Sequence, residues 1–245
     1  MSLSSIVSSA CKIIKPYSPT PTSLRCHKLS YLDQMLGGIY VPLALFYPNL
    51  SNTWSNKPSN LSEHLEKSLS KVLTHYYPLA GKLNDNVSID CNDYGVEFFT
   101  TKIDCPMSKV LNDPYTDKED LVYPKGVSNT YSYEGSLAVF QLSYFNCGGI
   151  AISACITDKV ADGYTIGTFM KDWATIARNP SSELPSPQFN GASLFPPTKD
   201  DLSNESNNIV PEREECSSKS FSFSSSKLAA LKAMIINQSE STESD

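Results

Sequence analysis

No two cysteines stand in a C-x-x-C arrangement. The seven present, at positions 11, 26, 91, 105, 147, 155 and 216, are an odd number scattered along 245 residues. They offer no zinc-ligand spacing and read as reduced thiols rather than a disulfide framework. Positive charge is also short: 20 Lys and Arg face 26 Asp and Glu, giving a net charge of −6. With no basic stripe, an electrostatic nucleic-acid binder is excluded. No apolar run approaches the ~20 residues of a membrane helix. Met1–Ala10 has neither an early positive charge nor a continuous apolar centre, so it does not read as a secretory signal. Neither Gly37-Gly38 nor Gly148-Gly149 belongs to a phosphate loop or a dinucleotide fingerprint. The nucleophile elbow Gly-x-Ser-x-Gly is missing too. Histidine is the scarcest functional residue, with three copies at positions 27, 64 and 75.

What remains is a globular composition: 40% of residues are hydrophobic, with 13 Tyr and 10 Phe, so the chain can bury a core as one large domain or two small ones. Strands and helices mix along it. Residues 5–15 alternate as a strand that runs into Pro16, Pro19 and Pro21. Leu29–Leu36 reads as a short helix stopped by Gly37-Gly38, and Tyr40–Tyr47 as a buried strand bounded by Pro48. Leu61, Leu65, Leu69 and Val72/Leu73 recur at helical spacing, which predicts a helix over 61–76 capped from Asn60 or Ser62. Short strands are expected near 86–90 and 95–102, with Asn92-Asp93 as the turn between them. Leu137–Phe145 and Ile150–Thr157 should pair as a hairpin around Asn146–Gly149.

Beyond Gly163, the residues Ile166, Phe169, Met170, Trp173 and Ala177 mark one face of a helix that ends near Asn179-Pro180. A long surface crossover, rich in Pro, Ser, Asn and acid, follows to about Ser218. A strand over Lys219–Phe223, a helix over Ser226–Ile236 and a disordered tail from Ser239 complete the reading. The class is α/β.

The richest local signal is Asp158-Lys-Val-Ala-Asp162-Gly163, where an apolar strand meets a Gly-marked turn and a helix. Such junctions combine a rigid scaffold with an exposed turn. Taken alone, Asp158 is a polar residue at a strand end, Asp162 an N-cap for the next helix, and Gly163 a residue that shapes the turn or leaves room for a neighbour. The two carboxylates have no third ligand nearby to make a metal site. None of the three histidines falls in the turn. His64 and His75 lie on the Leu-rich helix in solvated or capping positions, and His27 lies in a loop.

Several segments together resemble the plant BAHD acyltransferases. Ile14-Lys-Pro-Tyr-Ser-Pro-Thr-Pro21 is similar to the family's first strand and Pro turn, and Leu29-Ser-Tyr-Leu-Asp-Gln34 to the short helix after it. Tyr77-Pro-Leu-Ala-Gly-Lys-Leu83 matches a further segment, with Lys82 where Arg is usual. Asp158–Gly163 falls where the family carries His-x-x-x-Asp-Gly, and Asp172-Trp173-Ala174 follows at the expected distance. Cys91-Asn92-Asp93 and Phe145–Ser153 are most similar to the branch of capsaicin-synthase-type and vinorine-synthase-type enzymes.

The resemblance implies a chloramphenicol acetyltransferase-like domain with a mixed β-sheet and flanking helices, the first of two family domains. Residues 1–198 would be this N-terminal domain. Residues 199–245 would be the crossover with its short strand, helix and acidic tail. It implies a cytoplasmic, monomeric enzyme, without a bound cofactor, metal, nucleic acid or membrane partner. Such an enzyme moves an acyl group from an acyl-CoA co-substrate to a small-molecule alcohol or amine. Asp158 then occupies the position of the catalytic base, while Asp162 and Gly163 take structural roles. With Asp in place of His and the second domain absent, the resemblance implies an inactive or impaired chain. The alternatives are a non-catalytic ligand-binding or interaction protein and a non-functional truncated allele.

Overall fold

The computed structural model describes residues 6–49, 58–84, 86–112, 119–124, 136–198 and 223–242. Two compact units divide the chain, Met1–Glu212 and Arg213–Asp245.

In the first unit, the strands β1 (Ile6–Ile14), β3 (Tyr40–Tyr47), β6 (Val96–Ile103), β7 (Ala138–Phe145) and β8 (Ile150–Thr157) form one sheet. Its order is β1-β6-β7-β8-β3. The β6–β7 pair is parallel and the other three are antiparallel, so the sheet is mixed. The β7–β8 hairpin forms as expected, with Val139 facing Cys155 and Tyr144 facing Ile150. The central β7 is buried along nearly all its length, as a strand covered on both faces must be. The shorter β2 (Cys26–Lys28), β4 (Lys82–Asn84) and β5 (Ser88–Asp90) make a separate antiparallel sheet ordered β2-β5-β4.

Helices α2 (Pro58–His75) and α4 (Gly163–Arg178) cover one face of the large sheet. Leu65, Leu69, Val72 and Leu73 of α2 share a buried cluster with Ile166, Phe169, Trp173 and Ile176 of α4 and with Phe98, Phe140, Leu142, Ala154 and Ile156 of the strands. Burying a side chain of this size is worth about 1.5–3 kcal/mol, so this cluster supplies the main driving force. Phe140 stacks on Phe169 with centroids 5.6 Å apart and meets Trp173 edge-on at 5.3 Å. The Trp173 indole N–H is not left unpaired: it donates to Ser68 Oγ at 3.0 Å and the Leu65 carbonyl at 3.3 Å. On the opposite face, α3 (Met107–Leu111) contributes Met107 and Val110 to a smaller cluster with Ile103, Phe145 and Ala151.

The structure departs from the sequence expectations at several points. α2 begins at Pro58, so Asn60 and Ser62 lie inside the helix; Ser62 donates to Glu66 instead of capping. A proline fits the first helical position because its missing N–H would have no helical partner there. Tyr40–Tyr47 is an edge strand and not a buried one, with Val41, Leu45 and Tyr47 each more than a third exposed. That position also accommodates Pro42. The strands on either side of Asn92-Asp93 belong to different sheets and do not pair. Gly95, at φ +98°, makes the bend between them; a Cβ there would sit 2.8 Å from the Ile14 carbonyl oxygen. β2, β4 and α3 are too short to show periodicity and were not expected.

Beyond α4 the described crossover contains a single turn of helix, α5 (Gly191–Leu194). Most of the expected strand at Lys219–Phe223 lies outside the described residues. In the second unit, α6 (Ser225–Thr242) continues past Ser239 into the segment expected to be disordered. No helix among the described residues is long and apolar enough to cross a membrane.

Candidate active site

The β8–α4 turn is built from three consecutive anchoring interactions. Asp158 leaves β8 with its N–H donating to the Ile39 carbonyl at 2.9 Å, while its Oδ1 accepts from the Ile39 N–H, also at 2.9 Å. The side chain is half-buried. Burial pushes the carboxyl pKa above the ordinary Asp value, and hydrogen bonds from the Ile39 and Gly38 backbone pull it partly back.

Lys159 is 2% exposed. Its ammonium donates to the carbonyls of Asp33 and Gln34, each at 3.2 Å, and to that of Leu36. These are the last carbonyls of the short helix α1 (Tyr31–Met35), whose other end carries a capping box between Ser30 and Asp33. A cation at a helix C-terminus satisfies carbonyls that the helix itself leaves free. Burial lowers the Lys159 pKa, with Asp158 and Asp33 opposing the shift.

Asp162 is the N-cap of α4, its Oδ1 accepting from the Thr165 N–H at 2.7 Å. The side-chain and backbone hydrogen bonds to Thr165 hold its pKa below the usual carboxylate value. Gly163 opens the helix; a Cβ there would meet nothing within 4 Å, and its φ lies outside the left-handed region. Neither crowding among the described residues nor backbone shape demands glycine at that position.

Asp158 and Asp162 both line a cavity of about 690 Å³ between this turn, β2, α1 and residues 185–192. Tyr76 and Asp172 lie along its floor, where the Tyr76 hydroxyl donates to Asp172 Oδ2 at 2.7 Å. Burial and the Asp172 carboxylate raise the Tyr76 pKa well above its ordinary value. The motif residues Asp172 and Trp173 are therefore structural partners of Tyr76 and of α2. Gln34 is structural as well, exchanging hydrogen bonds with the Thr198 backbone at 3.0 and 3.4 Å.

His27, expected in a loop, lies on β2 opposite Ile89 and lines the same cavity. Its spacing from the motif gave no hint of this, because the approach is made through the small sheet. Its ring meets Phe189 edge-on at 5.6 Å. The other two histidines are exposed on α2, and His64 Nε2 bonds the Ala177 carbonyl at 2.6 Å near the end of α4. Among the described residues no group of three or more His, Cys, Asp or Glu side chains could hold a metal ion. All six described cysteines are free thiols.

A mixed sheet flanked by helices, with a capped strand-to-helix turn on a large cavity, defines an α/β domain of the chloramphenicol acetyltransferase type. The sequence profile of the Transferase family matches residues 5–243, and the chain belongs to that family, the plant BAHD acyltransferases. It is 46% identical to acylsugar acyltransferase 3 of Solanum lycopersicum, over 98% of this chain and 55% of that protein. It is 42% identical to acyltransferase Pun1 of Capsicum frutescens, over 96% of this chain and 56% of that protein. The crystal structure of vinorine synthase superposes with a TM-score of 0.71 at 34% identity, covering 94% of this chain and 55% of that one. The chain thus spans about half the length of the relatives it matches.

Proposed function

We propose that the chain forms part of an acyl-CoA-dependent O- or N-acyltransferase of plant specialised metabolism, and that Asp158 impairs its turnover. The supporting observation is its 46% identity, across nearly the whole chain, to a relative named as an acylsugar acyltransferase. In the reaction, an acceptor hydroxyl or amine loses its proton as it attacks the thioester carbonyl, and the thiol of CoA leaves. The family's base position holds Asp158, whose reference pKa of ~3.9 compares with ~6.5 for imidazole. Its side chain is shorter than His, and Oδ1 already accepts from Ile39. A positioned general base is typically worth about 10²–10⁴-fold, and most of that factor is lost here. Asp162 keeps the helix start in place, and no residue is assigned to the coenzyme. The same reading makes the protein cytoplasmic and monomeric.

The test is release of free CoA from acyl-CoA donors offered with alcohols and amines, comparing the native chain with Asp158→His. The substituted chain should be faster by about 10²-fold or more. Equal rates would remove Asp158 as the cause of impairment, and silence in both would remove the enzymatic reading. The capture of the Asp158 carboxylate by the backbone also favours a second reading, a non-catalytic ligand-binding protein. Its signature is thermal stabilisation by acceptor molecules without turnover in either form.

A further inference from the structure

Asp158 is poorly placed to accept a substrate proton, because its side chain is shorter than that of His and its Oδ1 is drawn to the Ile39 N–H. The cavity has one imidazole in its lining, that of His27. β2 fixes the backbone of this residue through its pairing with β5. The ring is held edge-on by Phe189, which in turn meets Tyr77 edge-on at 5.0 Å. Neither ring nitrogen is hydrogen-bonded to another described residue, so no partner fixes the tautomer or occupies the lone pair.

We propose that His27 is the general base for the residual acyl transfer in this cleft, with Asp158 serving as a positioning residue that fixes the backbone of Ile39. The assignment rests on the acyl-transfer reading above. Burial favours the neutral imidazole, the form that accepts a proton, against an opposing pull from Asp33. The acceptor oxygen or nitrogen forms its bond to the thioester carbonyl carbon as its proton passes to a His27 ring nitrogen. The tetrahedral intermediate collapses with cleavage of the C–S bond. The leaving thiolate takes the proton back from the imidazolium, which gives acyl product, free CoA and neutral His27.

Four forms of the full chain test this: native, His27→Gln, Asp158→His and the double substitution, each assayed for CoA release. In the native background His27→Gln should lower kcat/KM by about 10²-fold or more. In the Asp158→His background the same substitution should cost less than about tenfold, since two groups that fill one role are non-additive. Equal losses in both backgrounds would mark His27 as structural and overturn the proposal, and so would no loss in either. Activity in Asp158→His with none in the native chain would overturn it while leaving the acyl-transfer reading intact. Silence in all four would remove that reading, and this assignment with it. If His27→Gln melts early, His27→Phe keeps an aromatic edge on Phe189 and carries the same comparison.

Discussion

A carboxylate that accepts a backbone hydrogen bond while partly desolvated is pulled two ways, and at Asp158 desolvation wins. The folded state therefore binds the Asp158 proton more readily than the unfolded chain does. The stability contributed by this site is full below the ordinary Asp value and declines as pH rises through the higher folded-state value. Asp158→Asn keeps an acceptor for Ile39 and removes the titration. Its stability relative to the native chain should rise between acid and neutral pH and then level off, as measured by urea unfolding across that range. A constant difference would show that Asp158 does not titrate abnormally. At Gly163 the expectation is opposite to that of a residue kept for space. Gly163→Ala should stabilise the fold by about 0.4–1 kcal/mol, because the Cβ meets nothing and the unfolded chain loses freedom. A destabilised variant in the same unfolding assay would mean that something occupies the room beside Gly163.

The motif's middle residue acts at the scale of elements. α1 is only five residues long and could not persist alone. Ser30 and Asp33 tie its start, Lys159 gathers its last carbonyls, and Gln34 joins it to Thr198. In this way Lys159 links β8, the motif turn and the α1–β3 connector, whose Leu36 lines the cavity. Lys159→Ala takes the ammonium donor from the Leu36 carbonyl, while the Asp33 and Gln34 carbonyls keep the Leu36 N–H and the Asn86 side-chain amide. It should cost about 1–3 kcal/mol, the usual cost of one unsatisfied buried group. Differential scanning calorimetry would show it, together with faster amide exchange at Ile39. An unchanged melting temperature would mean that water replaces the ammonium at no loss.

At the scale of the whole molecule, what was legible in the sequence follows from local rules. Ile166, Phe169, Met170 and Trp173 show the period of α4, and all four are buried. The β7–β8 hairpin is visible because two apolar runs flank a four-residue turn. The capping role open to Asp162 can be read from its place before a helix. The edge placement of β3 was not legible, because an apolar run looks alike at the centre of a sheet and at its rim. Of the small sheet, β5 was legible near 86–90, while β2 and β4 escaped notice because three-residue strands have too few positions to alternate.

The sequence by itself determined the class, the family resemblance and the substitution of Asp for His at position 158, since these depend on residue order alone. Only the tertiary structure decided that the Asp158 oxygen is held by Ile39 and that the Lys159 charge is buried under α1. It also decided that His27, 131 residues before Asp158 in the numbering, shares its cavity. Each of these depends on a contact between distant segments, and such contacts are set by the pairing of strands and the docking of helices.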